Sequence, residues 1–311
     1  MITTTTMAAM GAAMMAAAVV TGIPVAQPQN QDDAEFSETL KTGQDADLRM
    51  TLPVGIDGQG PFDFLLDTGS QSTVVSTSLA SSLALPPGPT VRIIGMAGIS
   101  QAGTARIGTI DIGRRTVESL VVPLLDQEDI GAPGILGTDS LKDQRVLFDF
   151  TRNTITVGNA RELGGNDGFE IVVRARQRAG RLIMTNGHLD GVRVRVVVDT
   201  GSTTTIGNRA LQRALRHKET DAITLLSATG HELAGDARVA GRLTINNLVV
   251  NGTFIAYADS PAFEELDLVD KPAIFLGMRE LRGLKRLAID FSQDRVLFDV
   301  PVMKPGALLR H

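Results

Sequence analysis

The residues Asp67-Thr68-Gly69-Ser70 recur as Asp199-Thr200-Gly201-Ser202, 132 positions later. In each copy the aspartate ends an apolar run, the glycine permits a tight turn, and the Thr and Ser hydroxyls can hydrogen-bond carboxylates or backbone. One such copy is adequately explained as an Asx-type turn closing a strand. Two copies at matched positions allow more, because a pseudo-two-fold axis could bring both carboxylates together. Two carboxylates about 3 Å apart cannot both ionise easily and share one proton. That state holds a base and an acid at once. The base takes a proton from water, which then attacks an amide carbonyl. The acid polarises that carbonyl, and the roles exchange to protonate the leaving nitrogen.

The flanking sequence predicts the elements that must carry these turns. Val192, Val194, Val196 and Val198 alternate with Arg193 and Arg195, and Phe62, Phe64 and Leu66 alternate with Asp63 and Leu65. This is the period of two of a half-buried strand. Gly58 and Gly60 before the first strand, and Asp190-Gly191 before the second, suit hairpin turns. The repeat continues downstream: Thr73 matches Thr205, Val74 matches Ile206, and Leu79 and Leu83 match Leu211 and Leu215. Ser76 and Asn208 stand as helix N-caps before those leucines. A second anchor pairs Ile135-Leu136-Gly137 with Phe275-Leu276-Gly277, and Phe148-Asp149-Phe150 with Ile289-Asp290-Phe291. The offset there has grown to 140 and 141, which places an insertion in Asp259 to Lys271. The expected fold class is mainly β: two homologous, barrel-like lobes of six or seven strands with a cleft between them. The lobes are assigned to residues 32–160 and 161–311, with a polar linker at Asn159 to Asp167 and a leader or anchor at 1–31.

Composition removes other chemistries. A net charge of −5 and a pI near 5.4 speak against nucleic acid, whose binders carry a basic excess. With no cysteine there is no disulfide, thiolate metal site or cysteine nucleophile. His188, His217, His231 and His311 are scattered without metal-ligand spacing. Neither a Gly-x-Ser-x-Gly elbow nor a phosphate loop occurs. Glycosidases use carboxyls ~5–9.5 Å apart without a duplicated Asp-Thr-Gly. At the N-terminus, Met7 to Val20 is apolar but shorter than the ~20 residues that span a bilayer. It fits the apolar region of a secretory signal, although no Lys or Arg precedes Lys41. An Ala-rich tail is the plainer alternative. Residues 27–45 read as a polar linker, with folded structure from about Asp47.

The duplicated Asp-Thr-Gly-Ser, each copy followed by an apolar-apolar-Gly triplet, resembles the aspartic proteases. The segment from Val54 to Gly69 is especially similar to bacterial retropepsin-like members. The resemblance implies a bilobal acid-protease fold and an aspartic endopeptidase. Asp67 and Asp199 would be the catalytic pair, and Thr68 and Thr200 would lock the two loops together. Gly69 and Gly201 would shape the turns, Ser70 and Ser202 would donate to the aspartates, and Gly137 and Gly277 would pack behind the loops. It implies no metal or organic cofactor and an extended peptide or protein as substrate; the charge adds no nucleic-acid partner, the two lobes in one chain a monomer, and the apolar N-terminal run export to the bacterial periplasm, soluble or anchored. Hairpin flaps are expected at Arg92 to Arg106, with Gly95, Gly98 and Gly103 near the tip, and at Leu225 to Val239, with Gly230 and Gly235. The sole tyrosine, Tyr257, lies outside both, unlike the flap tyrosine of pepsin-like enzymes. Hydroxyl donation by Ser70 and Ser202 would lower the pair's first pKa and give an acidic optimum, roughly pH 4 to 6. A non-catalytic peptide- or protein-binding relative is the alternative function.

Overall fold

The computed structural model describes residues 49–216 and 220–301, with four short stretches before them. Those stretches are β1 (Met14–Met15), β2 (Val19–Thr21), β3 (Glu38–Lys41) and β4 (Gly43–Gln44). The first lobe continues through β5 (Met50–Ile56), β6 (Gln59–Leu66), β7 (Val74–Ser76), α1 (Thr77–Ser82), β8 (Val91–Ile94) and β9 (Ile99–Ala102). It ends with β10 (Thr104–Ile112), β11 (Arg115–Leu125), α2 (Gln127–Ile130), β12 (Gly134–Leu136), β13 (Arg145–Asp149) and β14 (Thr154–Gly158). The second lobe runs through β15 (Ile171–Arg178), β16 (Arg181–Leu189), β17 (Val192–Val198), β18 (Thr205–Gly207), α3 (Arg209–Leu215), β19 (Asp221–Ser227) and β20 (Glu232–Ile245). It finishes with β21 (Leu248–Tyr257), α4 (Pro261–Glu265), β22 (Ala273–Leu276), α5 (Met278–Leu281), β23 (Arg286–Asp290) and β24 (Arg295–Asp299).

The repeat in sequence is a repeat in topology. In the first lobe the pairing runs β5-β6-β12-β7-β11-β10 and returns to β5; in the second it runs β16-β17-β22-β18-β21-β20 and returns to β16. Each circuit closes on itself, so neither lobe leaves these strands as open edges. The chain is mainly β and bilobal, as the alternating pattern predicts. In both lobes the strand before Asp-Thr-Gly lies parallel to the strand of the apolar-apolar-Gly triplet: Leu66 opposite Leu136, Val198 opposite Leu276. Ser76 and Asn208 cap α1 and α3, accepting from the backbone N–H of Leu79 at 3.1 Å and of Leu211 at 2.9 Å. The insertion sits where the offset places it, as α4 and its following turn between β21 and β22.

The lobes share a base. Strands pair in the order β15-β24-β23-β13-β14-β3, with Arg145 opposite Asp290 at the central crossing. These two side chains are buried and form an ion pair at 2.7 Å. Arg145 also reaches back to the Gly165 carbonyl and, at 3.1 Å, to Asn166 Oδ1. Residues 159–167 are therefore a fixed turn against the base. The polar stretch 27–45 is in part a correction to the sequence reading: β3 joins the edge of β14, and β4 joins β5. Edge pairing uses backbone groups, so hydropathy gives no sign of it.

One core cluster runs through both lobes and the base, and two smaller ones include the hairpin residues Met96 and Ala228. The greater part of Met7–Val20 lies outside the described residues. Within it, β1 pairs parallel with β19, and β2 pairs antiparallel with β8. Among the described residues no helix is long and apolar enough to cross a membrane.

Candidate active site

The two Asp-Thr-Gly turns face each other at the seam of the lobes. Each aspartate is anchored by its own backbone N–H, Asp67 to the Leu136 carbonyl at 3.1 Å and Asp199 to the Leu276 carbonyl at 3.0 Å. The turns then cross-link through their threonines. Thr200 Oγ1 donates to the Leu66 carbonyl at 2.7 Å and accepts from the Thr68 N–H at 3.1 Å. Thr68 Oγ1 donates to the Val198 carbonyl at 3.0 Å and accepts from the Thr200 N–H at 3.3 Å. Neither lobe can shift its aspartate without breaking bonds to the other.

Glycine is required at both turns because of the opposite carboxylate. A Cβ on Gly69 would stand 2.6 Å from Asp199 Oδ1, and one on Gly201 would meet Asp67 closer still. Gly137 and Gly277 lie against the loop backbones at Ser72–Thr73 and Thr203–Thr204, where a Cβ would collide. Thr73 and Thr205 bridge these layers, since their hydroxyls accept from the N–H of Gly137 at 3.1 Å and of Gly277 at 3.0 Å. Behind them stand a half-buried acid and a buried one that the motif pattern does not reveal. Asp139 accepts from the Thr73 N–H and hydroxyl at 2.9 and 2.7 Å, and Glu280 accepts from the Thr205 hydroxyl.

Asp67 and Asp199 are both fully buried. Asp67 Oδ1 accepts from the N–H groups of Gly69 and Ser70 at 2.7 and 3.0 Å, and Asp199 Oδ1 accepts from the Gly201 N–H at 3.1 Å. The Oδ2 atoms are buried and find no other partner among the described residues. The two carboxyls are close enough for each to bear on the other's protonation. Burial, and then the charge of Asp199, push the Asp67 carboxyl well above the usual range. Burial raises Asp199 to about 6, against the opposing pull of Arg181 and the turn N–H groups. Such a pair holds one proton between them.

The serines are a correction. Ser70 Oγ donates to the Ser72 carbonyl at 2.8 Å, and Ser202 Oγ to the Thr204 carbonyl at 2.9 Å. Each hydroxyl has one proton and places it on its own loop. The contact of Ser70 with Asp67 is made by the backbone N–H instead.

Two hairpins reach across the seam of the lobes. The first is β8–β9 with its tip at Gly95–Gly98, so Gly103 lies at the base of the hairpin and not near its tip. The second is β19–β20, with Gly230 at its tip in a left-handed conformation at φ 74°. The tips are exchanged. Met96 of the first hairpin is buried among second-lobe residues that include Ile183, Val197, Ala256 and Phe263. Ala228 of the second is buried among first-lobe residues that include Leu65, Val74, Leu125 and Ile135. Met96 and Ala228 are themselves 132 positions apart. This explains why Leu65 and Val197, on the nominally outer faces of β6 and β17, are fully buried.

A family model described as aspartyl protease matches residues 52–140 and again 185–279, once in each lobe. No curated protein matches the chain. With more than half its length matched and the same turn standing at the seam of each lobe, the chain belongs to the aspartyl protease family.

Proposed function

We propose that the protein is an active aspartic endopeptidase, with Asp67 and Asp199 as its catalytic residues. The observation that carries this reading is a pair of fully buried carboxyls, each lying against the other lobe's turn glycine and both raised, in a cross-linked frame. With one proton on the pair, the ionised carboxylate activates water and the protonated one polarises the scissile carbonyl. A binding-only cleft gains nothing from burying two such groups, which are costly to desolvate.

The substrate is an extended peptide. The edges of β8 and β19 already pair with short strands of the chain itself, β2 and β1. Strand addition supplies affinity through backbone bonds, independent of sequence. Export, which the apolar run Met7–Val20 suggests, belongs to the same proposal.

The test is incubation of the purified chain with a random peptide pool across pH 3 to 9, with mass-spectrometric identification of the products. Binding without any cut product would favour the non-catalytic alternative. The active form is the monoanion, so activity requires a pH above the lower pKa of the pair and below the higher. The lower one belongs to a group raised to about 6. The kcat/KM profile should therefore have its acidic limb near pH 6 and an optimum near neutrality, not the acidic optimum that serine donation implied. A plateau extending down to pH 4 would contradict this.

Both aspartates come from one chain, so specific activity should stay constant on dilution to nanomolar enzyme. A second-order fall on dilution would show that the competent site needs two molecules.

A further inference from the structure

Arg181 opens β16 in the second lobe and is fully buried. Its Nε donates to the carbonyl of Gly69, in the first lobe's Asp-Thr-Gly turn, at 2.5 Å. Both Nη atoms are buried and make no hydrogen bond among the described residues. The guanidinium is close enough to Asp67 and Asp199 for its charge to favour the ionised form of each. Those two carboxyls, and Glu265 on α4, in turn support its charge against the cost of burial. The equivalent residue in the first lobe, 132 positions earlier, is Arg49. It too is buried, but its Nη2 donates at 3.0 Å to the Ile130 carbonyl of its own lobe.

A guanidinium removed from water costs several kcal/mol unless an anion opposes it. A buried carboxylate carries the same kind of penalty. Placed together, the two offset each other, and a pair of aspartates holding one proton is a match for one arginine. The bond to Gly69 adds a mechanical link, since the planar fork of arginine fixes direction as well as charge.

Resting on the catalytic reading above, we propose that Arg181 is a positioning residue for the aspartate pair. It holds the first lobe's turn through the Gly69 carbonyl and sets a buried positive charge against the pair's single negative one. The charged groups that act on Arg181 are Asp67 and Asp199 on the two turns and Glu265 on α4. With one proton shared, the trio of Asp67, Asp199 and Arg181 is neutral overall. Loss of the arginine leaves an unopposed buried anion, which holds its proton to higher pH.

The test uses two variants of the full chain. Arg181→Gln removes the charge and keeps a donor; Arg181→Lys keeps the charge and loses the fork. The aspartate carboxyl carbons are titrated by 13C NMR, and kcat/KM is followed against pH. In Arg181→Gln the lower apparent pKa of the pair, and the acidic limb with it, should rise by about one unit. In Arg181→Lys both should stay within about a few tenths of a unit of the wild type, while kcat falls more than KM changes. A wild-type titration in Arg181→Gln overturns the proposal. If that variant does not fold, Arg181→Lys decides: a retained titration supports the proposal, and an upward shift overturns it. The NMR readout needs no turnover. A chain that binds peptides without cutting them would still report the shift, so failure of the catalytic reading stays distinguishable.

Discussion

Asp67→Asn and Asp199→Asn will each lower peptide cleavage by about 10^4-fold or more, with the fold intact. The pair supplies both the general base and the general acid, and general acid–base groups contribute up to about 10^4-fold, or about 5.4 kcal/mol of barrier. Asparagine has the shape of aspartate. Its Oδ1 can still accept from the Gly69 and Ser70 N–H groups at position 67, and from the Gly201 N–H at 199. Its amide can donate to the remaining carboxylate. The geometry therefore survives and the proton exchange does not. The double variant should be no slower than either single one, because the two residues act as a unit. Kinetics on a single fluorogenic peptide, with circular dichroism as the folding control, checks both statements. Cleavage within tenfold of the wild type in either single variant would move the chemistry away from this pair.

The same substitutions should make the protein more stable at neutral pH. Both carboxyls are raised in the folded state, chiefly by burial. A group whose folded pKa exceeds its unfolded value of about 3.9 binds its proton more tightly when folded. Its stabilising contribution is complete below that unfolded value and is lost as pH rises through the folded one. For Asp199 the window runs from about 4 to about 6; Asp67 extends the loss to higher pH, in the direction its shift shows. For Asp199 alone, two units of pH correspond to a cost on the order of 3 kcal/mol at pH 7. Asparagine carries no charge in either state and escapes this cost. Asp67→Asn and Asp199→Asn should unfold roughly 5–10 °C above the wild type at pH 7, and the difference should vanish below about pH 4. Thermal melts from pH 3 to 8 decide the matter. A gap that is the same at all pH values would mean that charge burial is not its source.

What the sequence showed, and what it left hidden, divides along a physical line. The alternation before Asp67 and Asp199, the caps Ser76 and Asn208 and the insertion at Asp259–Lys271 are local patterns. The structure places each where the pattern puts it. The facing turns followed from the repeat, since two like units joined in one chain can pack about a pseudo-dyad. The direction of a hydroxyl does not follow from its residue type, and Ser70 and Ser202 turned to their own loop carbonyls. Arg181 looks like an ordinary strand-opening arginine until the fold brings it to Gly69. One signal was available: Arg49 and Arg181 keep the same 132-residue spacing as the aspartates, extending the repeat upstream of the strands. Met96 and Ala228 keep it as well, but that a hairpin tip seats in the opposite lobe is a long-range fact. The edge strand Glu38–Lys41 was hidden because its pairing depends on backbone alone.

The exchanged hairpin tips give this symmetric circuit an entrance and an exit. The two tips are seated in opposite lobes, yet they are not equally held. Seating a methionine side chain is worth about 1.5–3 kcal/mol, whereas a single methyl group such as alanine's is worth about 0.8. Met96 is also held by the Ser260 hydroxyl, which donates to its sulfur at 3.6 Å. On side-chain burial alone, the hairpin that carries Ala228 is expected to lift roughly ten times more often than its counterpart. On the endopeptidase reading, a polypeptide is expected to enter first at the end that Ala228 guards, so that Ala228→Met should slow entry more than Met96→Ala does.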